Sequence, residues 1–264
     1  MNGETSGTFR PPATASALPH LGTYRRTLPV SVERMLENAL DWEHLPHLHQ
    51  HSFAWIECED AGPWGWRARV GLPTREGPRE GRIELLLDRE ELRWVTRNLT
   101  GANAGAEIWT HLVVHAPRQL SVIVDFFVPG ITGDARARLG EAFARVYHQL
   151  YDEDEAMMIA RETALGGQRP AADVSADVVE QDGVRLRLVD LDDGTWAVDA
   201  RCPHWLGPLD AAEVRDGVIV CPWHGYGFDV RTGECTTGQE CRMRPGRRVT
   251  RTEQGVRFVD EDAV

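Results

Sequence analysis

Two short stretches decide how this chain reads: Cys202-Pro203-His204 and, after sixteen intervening residues, Cys221-Pro222-Trp223-His224-Gly225-Tyr226-Gly227-Phe228-Asp229-Val230-Arg231-Thr232-Gly233. Each supplies one thiolate and one imidazole, so four metal ligands sit on two loops. Zinc accepts such a set. Gly207, Gly225 and Gly227 flank the ligands, where backbone lacking a Cβ can approach an inorganic group closely. The chain holds five cysteines in 264 residues, an odd number and too few for a disulfide framework. Cys235 and Cys241 fall outside the two stretches and read as ordinary, partly buried thiols.

The order C-x-H…C-x-x-H resembles the Rieske [2Fe–2S] family, in which two cysteines hold one iron and two histidines the other. The resemblance covers roughly residues 173–260. It implies Cys202, His204, Cys221 and His224 as ligands of a [2Fe–2S] cluster that moves single electrons. Respiratory-chain Rieske proteins carry an extra cysteine in each loop, joined as a disulfide. Gly207 and Trp223 hold those places here, so the resemblance is to the oxygenase and ferredoxin branch.

Around these loops, candidate strands at 184–189, 196–200, 218–220 and 256–259 are separated by Gly, Pro and Asp turns. That pattern predicts a small all-β domain over 173–264. Residues 166–172, Gly-Gly-Gln-Arg-Pro-Ala-Ala, read as a linker. Upstream the periodicity changes. Val32, Met35, Leu36, Ala39 and Leu40 recur at helical spacing behind Ser31 as N-cap. Candidate strands follow at 53–58, 66–70, 82–88 and 92–98, then a hairpin pairs 108–115 with 119–128. Residues 134–164 predict one long helix with Leu139, Phe143, Val146, Leu150 and Met157 on a shared stripe. Helix, antiparallel sheet and closing helix make an α+β layer over 25–165, with room for a cavity between sheet and last helix. Residues 1–24, rich in Pro, Thr, Ala and Ser, read as a flexible N-terminal arm.

Composition narrows the partners. The net charge of −12 argues against a nucleic-acid partner; all 29 basic residues are arginine. No apolar run approaches the roughly 20 residues of a membrane helix, and no apolar leader is visible, so the expectation is a soluble, cytoplasmic protein.

A second constellation lies near the N-terminus: Glu37-Asn38-Ala39-Leu40-Asp41-Trp42-Glu43-His44-Leu45-Pro46-His47-Leu48-His49-Gln50-His51, with four histidines in eight residues. Asp41 precedes His44 by three positions, a spacing that can share a helical face and orient the imidazole. Pro46 is expected to break the helix and let side chains five apart converge. From spacing alone, His47 with His51 is an alternative pair. The string is similar to the E-N-x-x-D-x-x-H-x-x-x-x-H signature of Rieske non-haem iron oxygenases. That resemblance implies His44 and His49 as ligands of a mononuclear Fe(II), and Asp41 as the carboxylate bridging that site to an approaching Rieske histidine. A 2-His-1-carboxylate site needs one more oxygen ligand. The run Tyr151-Asp152-Glu153-Asp154-Glu155 offers it, Asp154 by the resemblance and Asp152 as the alternative.

Taken together the resemblance implies a helix-grip (START/Bet v1-like) catalytic domain followed by an all-β Rieske domain. Family members place the Rieske part first; this chain reverses the order. A linker of about ten residues spans at most roughly 35 Å. The implied activity is hydroxylation, demethylation or desaturation of an apolar or aromatic small molecule with O2. A separate NAD(P)H-dependent reductase, with or without a ferredoxin, supplies the electrons, since no Rossmann glycine fingerprint occurs here. The family's assembly is a homotrimer. The competing reading is a Rieske electron carrier fused to a non-catalytic ligand-binding domain. Candidate cavity walls are Trp55, Trp94, Trp109, Leu112, Ile123 and Phe127.

Overall fold

Ser31 accepts a hydrogen bond from the Arg34 amide and so caps α1 (Val32–Leu40), after a strand β1 (His20–Leu28). A short helix α2 (Leu45–Leu48) follows, and then six strands: β2 (Trp55–Gly62), β3 (Gly65–Leu72), β4 (Arg79–Asp88), β5 (Arg93–Thr100), β6 (Glu107–Ala116) and β7 (Gln119–Phe127). The long helix α3 (Asp134–Leu165) closes this part. The structure is a computed structural model and describes residues 16–101, 103–166, 177–252 and 255–259. It divides into two units, Met1–Ile159 and Ala160–Val264.

In the first unit the strands form one antiparallel sheet in the order β1-β7-β6-β5-β4-β3-β2. Alternation sorts the side chains onto two faces. Leu120, Val122, Val124 and Phe126 of β7 are fully buried on one face and pack with Trp66, Leu85, Trp94 and Tyr151 in the core. The helix stripe follows the sequence expectation at Leu139, Phe143, Leu150 and Met157 and departs from it at Val146. Val146 is exposed, while Tyr151, Asp154, Met157 and Met158 are buried, with Phe143 and Tyr147 packed on the core. The sheet selects a face richer in aromatics than the aliphatic spacing suggested. Gly140 lets α3 come close to β1: a Cβ there would stand 2.4 Å from the Leu21 carbonyl oxygen.

β1 corrects the expected arm over 1–24. Residues 20–28 pair along the edge of β7, and Arg26 reaches Asp152 and Glu155 of α3 at 2.5 Å each. A bulge between His20 and Gly22 disturbs the alternation that would have revealed the strand in the sequence. The arm's residues 1–15, and 167–172 of the expected linker, lie outside the described residues. The division between units falls inside α3, at Ile159/Ala160, rather than in that linker.

The second unit is built of β8 (Val178–Gln181), β9 (Val184–Leu191), β10 (Gly194–Asp199), β11 (Glu213–Arg215), β12 (Val218–Val220), β13 (Gly227–Asp229), β14 (Arg247–Thr252) and β15 (Gly255–Phe258). These make a five-stranded sheet, β15-β14-β10-β9-β8, around Leu186, Leu188, Ala197 and Val249, and a three-stranded sheet, β11-β12-β13. The loop after β10 carries Cys202 and His204; the loop after β12 carries Cys221 and His224.

Candidate metal centres

The two cysteine–histidine loops are conformational twins. In the first, the Leu206 amide donates to the Cys202 carbonyl at 3.0 Å and the Cys202 amide to the Gly207 carbonyl at 2.8 Å. In the second, Gly225 donates to Cys221 and Cys221 to Tyr226, each at 2.9 Å. The fifth residue of each turn is left-handed: φ is +62° at Leu206 and +68° at Gly225. Each turn aims its thiol and imidazole to one side. Cys202, Cys221 and His224 are buried, and the rings of His204 and His224 stand 4.6 Å apart at 77°. Tyr226 stacks on His204 at 4.5 Å. A hydrogen bond from Cys202, helped by His224, favours the thiolate at Cys221 against its burial.

These residues fit a [2Fe–2S] cluster. The donor set is two thiols facing two imidazoles, and the surroundings leave no room for an ordinary side chain. A Cβ on Gly207 would lie 2.8 Å from Cys221 Sγ and 3.1 Å from the Trp223 indole. The Trp223 indole thus packs directly against the Gly207 backbone. Arg161 holds its guanidinium 4.4 Å above the Trp205 ring and donates to the Trp205 carbonyl at 3.0 Å, fixing the residue beside His204.

The first unit gathers a different set. His44, His49 and Asp154 place their ligand atoms within 4.8 Å of one another, the one such group of three among the described residues. His49 Nε2 lies 3.0 Å and His44 Nε2 3.5 Å from Asp154 Oδ1. Donor atoms about 2.1 Å from one ion and at right angles stand about 3 Å apart, so this spacing suits three adjacent ligands of a single metal. All three are nearly inaccessible, a costly arrangement for ionisable groups unless they are paired or bind a cation. Burial opposes charge on His44, but Asp154 and Asp41 outweigh it and raise its pKa to about 10. Against its own burial, hydrogen bonds from His44 and His49 hold Asp154 well below the usual carboxylate range.

The local chain path is not the one expected. α1 stops at Leu40 with Asp41 as its C-cap, and His44 is the N-cap of α2. Pro46 occupies the first turn of α2, where its missing amide costs nothing, so it starts a helix instead of breaking one. Asp41 and His44 therefore do not share a helical face; the corner between two helices brings Asp41 Oδ2 to 3.3 Å from His44 Nδ1. Asp152, the alternative carboxylate, is half exposed and paired with Arg26. The alternative pair is not gathered either: His51 meets Gln149 Nε2 through Nδ1 at 3.0 Å, and His47 is absent from the cluster of three.

Three neighbours of this centre escaped the sequence reading. Asn38 Nδ2 donates to Asp154 Oδ1 at 2.9 Å. Glu153 Oε2 accepts from His49 Nδ1 at 2.6 Å, leaving Nε2 turned toward Asp154. Thr110 is buried on the facing strand. The i+3 spacing of Asn38 and Asp41 was a visible signal; Glu153 had none beyond its place in an acidic run.

A cavity of about 120 Å³ opens onto the three ligands, walled by Met35, Phe53, Trp66, Ile83, Trp94 and Tyr147. Of the expected walls only Trp94 contributes. Leu112 lies in the core but away from the cavity. Trp109 and Phe127 pack on each other on the sheet's other face, where cross-strand pairing also puts Ile123, opposite His111. Trp55 lies against Gly71 near the Arg69 guanidinium.

No helix among the described residues is long and apolar enough to cross a membrane. Among solved structures, the chain is similar to the Zhui aromatase/cyclase from Streptomyces sp. R1128, at 14% identity over 56% of this chain and 98% of that one, TM-score 0.46. It is similar to a START superfamily protein from Mycobacterium smegmatis at 16% identity over 53% and 99%, TM-score 0.44. A protein from Thermus thermophilus gives 16% identity over 54% and 98%, TM-score 0.45. Residues 161–248, which include all four cysteine and histidine ligands of the twin loops, match the Rieske [2Fe-2S] domain family. The second half of this chain carries a Rieske [2Fe-2S] domain.

Proposed function

We propose that the chain is a Rieske-type non-haem iron oxygenase that uses O2 to hydroxylate, demethylate or desaturate an apolar or aromatic small molecule. One observation carries the reading: in a chain that also carries a Rieske domain, a buried 2-His-1-carboxylate group faces an apolar cavity. In this proposal His44, His49 and Asp154 hold a mononuclear Fe(II), and Cys202, His204, Cys221 and His224 hold the cluster. When bound, the ferrous iron supplies dioxygen activation and the cluster supplies electrons one at a time.

The chain's own residues do the rest. Glu153 and Asp41 stand at the Nδ1 atoms of His49 and His44, which fixes both rings with Nε2 directed inward. Asn38 anchors the inner oxygen of Asp154. Burial pushes the Tyr147 and Tyr151 hydroxyls up, so both stay protonated. The apolar walls exclude water, and a space of about 120 Å³ suits a substrate portion of about one ring. Asp41 retains the bridging role for incoming electrons. The proposal also includes a cytoplasmic setting, a separate NAD(P)H-dependent reductase, with or without a ferredoxin, and a homotrimer.

Metal analysis of anaerobically purified protein tests this. Three irons and two acid-labile sulfides per chain are expected. Two irons and two sulfides would leave an electron carrier fused to a ligand-binding unit. Asp41→Asn is expected to keep both metals while product formation in a single turnover falls; an unchanged rate removes the bridging role.

A further inference from the structure

The last turns of α3 bring an arginine to the first of the twin loops. Arg161 holds its guanidinium carbon 4.4 Å from the centre of the Trp205 ring, and its Nη1 donates to the Trp205 carbonyl at 3.0 Å. One side chain thus grips both the ring and the backbone of the residue that follows His204. The Trp205 ring centre lies 6.0 Å from that of His204 and 5.6 Å from that of His224, where the planes meet at 66°. A single indole is therefore in contact with the guanidinium and with both imidazoles. His224 is buried and Trp205 half-buried, so bulk solvent screens the space among them poorly.

The turn itself does not account for these contacts. The same pair of backbone hydrogen bonds shapes both loops, and Arg161 adds a cation beside the first. Reduction of a cluster held here adds one negative charge to a centre that already takes two thiolates, in a chain of net charge −12. A cation across one aromatic ring, in a half-buried place, lowers the electrostatic cost of that electron. The indole face suits the flat guanidinium and so fixes where the charge stands.

We propose that the Arg161–Trp205 pair sets the reduction potential of the Rieske cluster. The guanidinium, held one indole ring away from His224, favours the state with one more electron. Trp205 is a positioning residue: it acts by keeping that charge in place. At such a remove a single charge changes an equilibrium constant about three- to tenfold. The effect belongs to the Rieske domain alone, so it holds for an oxygenase and for an electron carrier alike.

The test uses the cluster-loaded full chain and reads the midpoint potential by dithionite titration of the visible absorption with mediator dyes. Arg161→Gln is expected to make reduction about three- to tenfold less favourable, a fall of about 30 to 60 mV for a one-electron couple. Arg161→Lys keeps the charge and should stay within about twofold of wild type. In a Trp205→Leu background, Arg161→Gln should lower the potential no further. The electron paramagnetic resonance of the reduced cluster reports that each variant keeps two-cysteine, two-histidine ligation. An Arg161→Gln potential equal to wild type overturns the proposal. So does an Arg161→Lys potential that falls as far as that of Arg161→Gln, because Arg161 is then a clamp on the loop and not a charge. A full further fall in the Trp205→Leu background removes the positioning role of Trp205. Should Arg161→Gln fail to hold a cluster, Arg161→Met replaces it with the same expected fall; loss of the cluster in both assigns Arg161 to loop structure and overturns the tuning role.

Discussion

The two candidate centres are built in opposite ways. The cysteine–histidine centre takes all four residues from two loops that follow short strands, and each loop is shaped by the same pair of backbone hydrogen bonds. The 2-His-1-carboxylate centre draws on the corner between α1 and α2 and on a helix more than a hundred residues later, the His49–Asp154 separation being 105. A local centre survives changes elsewhere in its domain. A distributed one depends on the sheet that holds α3 against the opening helices. The side-chain chemistry differs accordingly: soft thiolates and imidazoles on one side, imidazoles and a carboxylate locked by Asn38 and Glu153 on the other.

The largest effects come from removing a ligand. Cys221→Ala should abolish the visible absorption and the acid-labile sulfide while leaving the single iron. His49→Ala should do the reverse, keeping the cluster spectrum. If either variant loses both metals, the centres are not independent.

Next is Glu153→Gln, which keeps the shape but weakens the hold on His49 Nδ1. Loss of such an outer partner costs about 10–100-fold in metal affinity, measurable by anaerobic competition titration; an unchanged affinity would show that Glu153 serves only solvation.

The pH dependence follows from His44. Its pKa of about 10 in the metal-free protein lies above the ordinary histidine value, so the imidazole is protonated at neutral pH. A metal must displace that proton, so apparent affinity should rise by about tenfold per pH unit between pH 6 and 8. The same shift works in the opposite direction on folding. The stability that protonated His44 lends the metal-free protein is complete below about pH 6.5 and is lost as the pH rises through about 10. A flat affinity profile would remove the proton from the centre.

The smallest effect separates the twin loops. Leu206 adopts φ +62° where its counterpart is Gly225. Leu206→Gly should relieve backbone strain of about 1 kcal/mol, offset in part by a more flexible unfolded chain, and raise the melting temperature slightly without altering the cluster spectrum.

Much of this architecture was legible early. α1, its Ser31 cap, the β6–β7 hairpin and α3 follow directly from periodicity and turn residues. β1 was not, because its bulge and Arg26, facing α3, break the alternation. The inward face of α3 was misjudged at Val146 because aliphatic spacing cannot weigh the pull of an aromatic cluster across the sheet. Cavity walls failed for a sharper reason: a strand shows which residues alternate, never which of its two faces will be covered.

The chain by itself determined the ligand chemistry: two C–H loops at a set spacing, and a histidine-rich corner followed far downstream by an acidic run. Those are short-range facts, written in residue type and separation. Only the tertiary structure decided that Asp154 and not Asp152 turns inward, and that Glu153 and Asn38 stand behind the ligands. Each of those depends on the rotation of a helix or the return of a loop, which are fixed by packing against the rest of the fold and leave no mark on the spacing of the residues themselves.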